Sequence, residues 1–130
     1  MIAIEQQLSV FLDNRPGTLA RTCQALAKEG INVKAISISD TVDHAVVRFL
    51  VSDVPTAAAL FERLHIPVQQ REVIVLDVPN RPGELARVAE RLAEAGINIE
   101  YAYATWDTAQ QSNVLVLRTN NIEETIGALS

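Results

Sequence analysis

The chain has 130 residues, a formal net charge of −5, and hydrophobic residues at 48%. A chain of this length holds one ordinary domain or two small ones. The acidic balance argues against a nucleic-acid partner, because such binding depends on phosphate neutralisation by Lys and Arg. Cys23 is the only cysteine, so an intrachain disulfide and a cysteine-cluster metal site are excluded. No apolar run approaches the roughly 20 residues of a membrane span, and the N-terminus lacks the pattern of a leader. We therefore expect a cytoplasmic protein.

Residue periodicity predicts five elements in the first half of the chain, in the order strand, helix, strand, strand, helix. They are a strand over 5–13, a helix over 17–29, strands over 31–39 and 45–51, and a helix from Pro55 that ends before Pro67. Alternation of apolar residues marks the strand over 5–13, and a spacing of three to four marks the helices. Pro16 suits the first helical position, and Gly30 suits a left-handed C-terminal cap. Cys23 lies on the apolar stripe of its helix, so we interpret it as a buried structural thiol.

The second half repeats this order. Residues 68–78 contain no Gly or Pro and predict one long strand that would close the first half and open the second. In the helix that follows, Glu84 and Arg87 belong to an outer charged face whose pairs, three apart, add only tenths of a kcal/mol. Asn121 is the predicted N-cap of the last helix, with Glu124 in the capping position.

A repeat explains the doubled order. Asn14-Arg15-Pro16-Gly17 and Gly30-Ile31-Asn32 recur 66 residues later, and twelve of nineteen residues over 14–32 are identical to their counterparts. Such self-similarity sets the architecture, and it predicts two units, residues 1–70 and 71–130. Because no counterpart of residues 67–70 exists, the second unit lacks its own final strand. An open sheet edge is normally covered, and we expect the long 68–78 strand or a second chain to cover it.

The sequence of the repeated loop is consistent with a small anion-binding site. A strand, a Pro-Gly turn and a helix start would present unpaired backbone N–H groups and the positive end of the helix dipole, which suit a carboxylate. Asn14 and Asn80 add amide donors and a carbonyl acceptor, which would serve both ends of an amino acid. Asn32 and Asn98 lie beyond the other end of the same helix, about 20 Å away. They can meet Asn14 or Asn80 only across an interface. Taken alone, each Asn is better explained as an ordinary cap or turn residue.

The motif Asn-Arg-Pro-Gly-x-Leu-Ala, followed by Gly-Ile-Asn-Val or Gly-Ile-Asn-Ile, resembles the signature of the ACT domain, a regulatory module of enzymes of amino-acid metabolism. The resemblance covers nearly the whole chain in two copies. It implies an α+β fold of two ferredoxin-like βαββαβ units, each an antiparallel sheet with helices on one face. It also implies a dimer that holds a small amino acid between modules and regulates an enzyme of amino-acid metabolism. The ligand-binding residues it implies are Asn14, Arg15, Pro16, Gly17, Thr18, Leu19, Asn32, Asn80, Arg81, Pro82, Gly83, Glu84, Leu85 and Asn98. Many ligand-binding members carry a His just before the loop, where this chain has Leu12 and Val78.

We compared this function with two others, an acylphosphatase and a protein–protein interaction module. Acylphosphatases share the βαββαβ order and use an Arg at a phosphate loop, but their Gly-x-Val-Gln-Gly loop is absent here. His44 and His65, the only histidines, lack a nucleophile partner and are too few for a convincing metal site. We therefore expect no catalytic residue, cofactor or metal.

The second possibility is a protein–protein interaction module with vacant pockets, which would dock a partner on an apolar sheet face. The apolar strand residues that suggest such a face are Phe11, Val73, Val75, Tyr101, Tyr103 and Trp106.

Overall fold

The computed structural model of the chain describes residues 2–107, 109 and 111–130, without the side chains of Trp106 and Asp107. Within that part it contains six strands and four helices. The strands are β1 (Ile2–Asp13), β2 (Val33–Asp40), β3 (His44–Val51), β4 (Val68–Pro79), β5 (Ile99–Asp107) and β6 (Ser112–Thr119). The helices are α1 (Thr18–Lys28), α2 (Val54–Arg63), α3 (Glu84–Glu94) and α4 (Ile122–Leu129). The predicted α+β class and element order are confirmed, including the long strand expected over 68–78.

The chain divides into two compact units. The first unit is Gln6–Arg71, and the second unit joins Met1–Glu5 to Glu72–Ser130. The first unit has the strand order β2–β3–β1–β4, to which β4 contributes its first residues. The second unit has the order β5–β6–β4, and its fourth strand is the beginning of β1. Neither source expected from the sequence supplies the missing strand, because the first residues of the same chain fill that place.

The core of the first unit lies between its sheet and the helices α1 and α2. Antiparallel pairing sets Leu8 opposite Phe49 and Val10 opposite Val47, so alternate residues of both strands share one face. Phe61 of α2 stacks on Phe49 with ring centroids 6.0 Å apart, and both side chains are fully buried. Cys23 is partly buried and packs against this core, which agrees with a structural role.

The second unit builds its core in the same way. Ile74 of β4 pairs with Leu117 of β6, and both side chains pack with Val88 and Leu92 on the inner face of α3. Ile2 packs against this cluster as well, which anchors the start of β1 in the second unit.

Helix ends follow the predicted caps at two positions. Gly30 has a φ of +71°, and the Ile31 amide donates to the Leu26 carbonyl at 3.0 Å, which is the hydrogen bond of a left-handed C-terminal cap. The side chain of Asn121 accepts a hydrogen bond from the Glu124 amide at 3.0 Å. Both features depend on local sequence alone, and both predictions are confirmed.

Two residues of the apolar outer face suggested by the sequence are buried and not on the surface. Val73 and Val75 alternate with the core residue Ile74 along β4, yet both are buried. Tyr101 and Tyr103 are half-buried, and the side chain of Trp106 lies outside the described residues. The helices have 8 to 11 residues. In the part of the chain that the structure describes, none is long and apolar enough to cross a membrane.

Candidate functional site

The first loop, residues 14–17, turns the chain from β1 into α1 through a glycine of unusual conformation. Gly17 is the N-cap of α1, with a φ of +87°, a region that side chains with a Cβ rarely adopt. The helix therefore begins at Thr18, and the expectation that Pro16 is its first residue is wrong. The second loop, residues 80–83, repeats this geometry with Gly83 at +89° before α3.

Backbone donors at the first helix mouth are only partly used. The Arg15 amide donates to the Asp13 carbonyl at 3.0 Å, and the Thr18 amide donates to the Arg15 carbonyl at 3.3 Å. The amides of Gly17 and Leu19 have no partner among the described residues. The resemblance implied backbone contacts from Arg15 to Leu19, and the structure leaves only part of that stretch available to an anion.

Asn14 is neither a helix cap nor a fully available ligand group. Its side-chain amide donates to the Thr41 carbonyl at 3.3 Å, and its backbone amide donates to the Asp43 carbonyl at 3.1 Å. Both bonds hold the loop against the β2–β3 turn. The side-chain oxygen has no partner among the residues described, so Asn14 retains an acceptor. In the second loop the Asn80 backbone amide donates to the Gln111 carbonyl at 3.0 Å.

Asn32 and Asn98 lie at the far ends of α1 and α3, as the sequence predicts. Their backbone groups bond to the end of the neighbouring strand. The Asn32 amide donates to Ser52 Oγ at 2.9 Å, and the Asn98 amide donates to Asn120 Oδ1 at 3.1 Å. An 11-residue helix rises about 16 Å, so the two ends of one unit do not share a small ligand.

The two loops differ in their charged groups. In the second loop, Glu84 Oε1 accepts from Arg81 Nη2 at 2.8 Å, and Oε2 accepts from Arg87 Nη2 and Nε at 2.8 and 3.2 Å. The Glu84 side chain is only 16% exposed. Its hydrogen bonds from Arg87 and then Arg81 hold the pKa of this carboxyl below the ordinary value of 4.5, although desolvation acts in the opposite direction. The outer charged pair expected from helical spacing is therefore a three-residue cluster, in which two exposed arginines cover most of the carboxylate.

In the first loop the position of Glu84 is taken by Thr18, and no carboxylate stands between the two arginines. Arg15 Nη2 pairs instead with Asp13 Oδ2 at 3.0 Å, in an exposed contact. The side chain of Arg21 has no hydrogen bond or ion pair among the described residues, and its Nη1 lies 3.1 Å from where a Cβ on Gly17 would be. The hydroxyl of Thr18 is buried without a partner.

Two cavities of the first unit flank Thr18. One of about 190 Å³ lies beside Asn14, Arg15 and Leu19 and reaches Ile38 on β2. The other, of about 420 Å³, lies beside Arg21 and extends to the α2–β4 connection. Both are also lined by Leu12 and Asp13. The volume of the larger is within the range of small-molecule sites.

The lining of the larger cavity does not follow from the sequence. Arg21 recurs as Arg87 in the second repeat, and at both positions helical spacing makes it resemble a surface charge. Thr18 and Glu84 differ at equivalent positions within a run of identical residues, and this difference is the sequence signal that would have indicated that the two loops are not equivalent. Segment 64–67 carries no motif, and only folding brings it to the cavity. His65 in that segment has a φ of +57°. No group of three or more metal-ligating side chains is assembled anywhere in the described ranges.

Comparison with known proteins agrees with this architecture. Residues 2–129 match the family model of the ACT domain pair, while no curated protein matches significantly. Protein BT0572 from Bacteroides thetaiotaomicron is 34% identical, with a TM-score of 0.92 over 98% of this chain and 88% of that one. The ligand-free regulatory subunit of aspartate kinase from Thermus thermophilus is 19% identical, with a TM-score of 0.73 over 99% and 95%.

A further structure, the regulatory subunit of aspartate kinase from Thermus flavus, is 18% identical, with a TM-score of 0.67 over 98% of this chain and 94% of that one. At this identity, and at that of the Thermus thermophilus protein, the likeness concerns the fold alone. The match to the family model, by contrast, spans nearly every residue. The chain therefore belongs to the family of ACT domain pairs, whose modules are regulatory, amino-acid-binding units.

Proposed function

We propose that this protein is a non-enzymatic sensor that binds a small amino acid at the first loop and works as a homodimer. The observation that carries the proposal is the set of unpartnered polar groups around Thr18, next to a cavity of about 190 Å³. Binding would stabilise one arrangement of copies and so signal to an enzyme of amino-acid metabolism. A ligand shifts such an equilibrium only by its difference in affinity for the two states.

The loop offers complementary charges to the two ends of an amino acid. The Arg21 guanidinium and the amides of Gly17 and Leu19 lie at the positive end of α1, which favours a carboxylate. The side-chain oxygen of Asn14 and the carboxylate of Asp13 suit an ammonium group. Asn14 and Leu19 line the smaller cavity, Arg21 lines the larger one, and Asp13 lines both.

The edge of the sheet in the first unit supports a second copy as the group that closes this site. β2 is the outermost strand there, and Ile36 and Ile38 on it are 42% and 50% exposed. Exposed apolar edges are normally paired or blocked. Antiparallel pairing of β2 with β2 of a second copy would set the Asn32 end of one strand beside the Asp40 end of the other. The Asp40 end adjoins the turn that holds Asn14, so Asn32 of a second copy would face the first loop.

A thermal-shift screen of the twenty amino acids at millimolar concentration tests the ligand, followed by calorimetry on any that stabilise. A ligand present at 100 times its Kd stabilises the folded state by about 2.7 kcal/mol. If none of the twenty raises the melting temperature, the sensor proposal fails and the interaction-module alternative takes its place.

Asn14→Ala tests the loop. Removing the acceptor should weaken binding by about tenfold, since a typical hydrogen bond contributes on the order of 1 kcal/mol and one to a charged group more. Because the Asn14 amide also holds the Thr41 carbonyl, the variant should unfold at a slightly lower temperature but still cooperatively. A folded variant with native affinity would contradict the role of Asn14.

Ile38→Lys tests the dimer. A charge at this exposed edge position should block pairing of the β2 edges while leaving the core intact. Sedimentation should show a dimer for the native chain and a monomer for the variant at micromolar concentration. Val42→Lys is a matched control, because Val42 is 93% exposed and lies between β2 and β3. A native monomer would contradict closure of the site by a second copy.

A further inference from the structure

We infer that the two loops are not equivalent sites, because Glu84 supplies a built-in carboxylate to the second loop and only the first loop accepts the carboxylate of a ligand. This inference rests on the proposed function, since it assigns the ligand to one of two repeated sites. It predicts one ligand per chain.

The second loop is occupied by its own side chain. Both carboxylate oxygens of Glu84 are engaged, with three bonds of 2.8 to 3.2 Å to Arg81 and Arg87. Bonds between ionised partners are about twice as strong as neutral ones. An arriving carboxylate would have to displace Glu84 and leave that negative charge beside its own. The second helix mouth is thus closed to small anions.

The first loop carries the same two arginine positions without the carboxylate. The Thr18 hydroxyl makes no hydrogen bond to either guanidinium and is buried without a partner. A buried, unpaired polar group is uncommon and costs free energy, and Thr18 lines both cavities beside the first loop. The Arg21 guanidinium is likewise without a hydrogen-bond or ion-pair partner in the described part of the chain.

Arg15 is held only loosely away from this position. Its bond to Asp13 joins side chains that are 68% and 58% exposed, and exposed pairs of this kind contribute little to stability. A ligand carboxylate can take Arg15 from Asp13 at small cost, which restores the arrangement that Arg81, Glu84 and Arg87 show in the second loop. The second repeat thus shows, with its own carboxylate, the arrangement of two arginines around a carboxylate that the first repeat adopts when a ligand binds.

Reciprocal exchange of the two residues tests the inference. Calorimetry with the amino acid that stabilises the native chain most should give one site per chain. Glu84→Thr should raise this to two sites, and Thr18→Glu should abolish binding. Two sites in the native chain would overturn the inference and leave the proposed function standing, whereas no binding by the native chain would overturn the proposed function.

A matched arginine pair covers the case in which Thr18→Glu does not fold. Arg21→Gln should weaken binding at least about tenfold, as expected for loss of a charged hydrogen bond. Arg87→Gln, at the same position of the second repeat, should leave the affinity unchanged. Equal losses from the two substitutions would contradict the inequivalence of the loops.

Glu84 itself can be followed without any ligand. Carbon-detected NMR titration of its carboxyl in the native chain and in Arg87→Gln reports whether the second loop is closed. The native carboxyl should titrate below ordinary glutamate, and the substitution should raise its midpoint. A native Glu84 that titrates as an exposed glutamate would overturn the inference whether or not an amino acid binds.

Discussion

Gly17 and Gly83 adopt the same backbone conformation but have different surroundings, so alanine at each position separates backbone strain from contact with a side chain. Their φ angles are +87° and +89°, and a Cβ in the left-handed region costs about 1–2 kcal/mol. A Cβ on Gly17 would lie 3.1 Å from Nη1 of Arg21, whereas one on Gly83 would have no atom within 4 Å. Both substitutions therefore introduce backbone strain, but only the one at Gly17 also introduces a close contact with Arg21.

We expect Gly17→Ala and Gly83→Ala to lower the free energy of unfolding by similar amounts, about 1–2 kcal/mol each. The contact at Gly17 adds little to stability, because the end of the Arg21 side chain is flexible and can move away. For a chain of this size such a loss lowers the melting temperature by roughly 3–8 °C. Urea unfolding gives the free energy directly, and an unchanged slope with denaturant would show that the unfolded surface is the same.

Ligand binding should separate the two substitutions. Displacement of Arg21 by the new methyl group at Gly17 removes one of the proposed carboxylate contacts, so affinity should fall about tenfold or more. Gly83→Ala adds its methyl group where the structure has open space, and affinity should stay within about twofold of the native value, as expected for an independent site. If neither substitution destabilised the chain, the requirement for a positive φ would be refuted. If both weakened binding equally, the loss would come from strain and not from Arg21.

Three further predictions concern stability. Phe61→Ala should cost about 3–5 kcal/mol, because Phe61 is fully buried against Phe49, and chemical denaturation measures the loss. Asp53→Ala should cost about 1 kcal/mol, since Asp53 caps α2 through bonds of 3.2 and 2.7 Å to the amide and hydroxyl of Thr56; a loss under about 0.3 kcal/mol, near the limit of such measurements, would contradict that role. The lowered pKa of Glu84 means that its contribution to stability is present above the ordinary value of 4.5 and is lost as pH falls through the folded value. Unfolding curves between about pH 6 and pH 3 should show this loss in the native chain and a smaller one in Glu84→Gln.

Local sequence was sufficient for most of the fold. Alternation, helical spacing and the absence of Gly and Pro from residues 68–78 predicted the elements and their order, and the caps at Gly30 and Asn121 followed from residues within one turn. The repeat predicted two similar loops, and both are present. These features depend on interactions between near neighbours in the chain, where residue type and spacing carry most of the information.

The positions of the helix mouths were less predictable. Pro16 satisfies the rule for a first helical residue. However, the left-handed Gly17 is the N-cap, so the helix begins at Thr18. The preference of proline for that position is small, and closure of the turn between β1 and α1 outweighs it. The candidate site was predicted at this loop with more available backbone donors than the structure leaves there.

The sequence alone specifies the repeated unit, its element order and the two similar loops. Tertiary structure decided which strand completes the second sheet, since the first residues of β1 take a place that local patterns leave open. It also decided that the Glu84 carboxylate is bound by two arginines, while the Thr18 hydroxyl has no hydrogen-bond partner among the described residues. The repeat places Thr18 and Glu84 at equivalent positions. Only the contacts of each side chain in the folded structure show that the second loop is filled by its own carboxylate and the first is not.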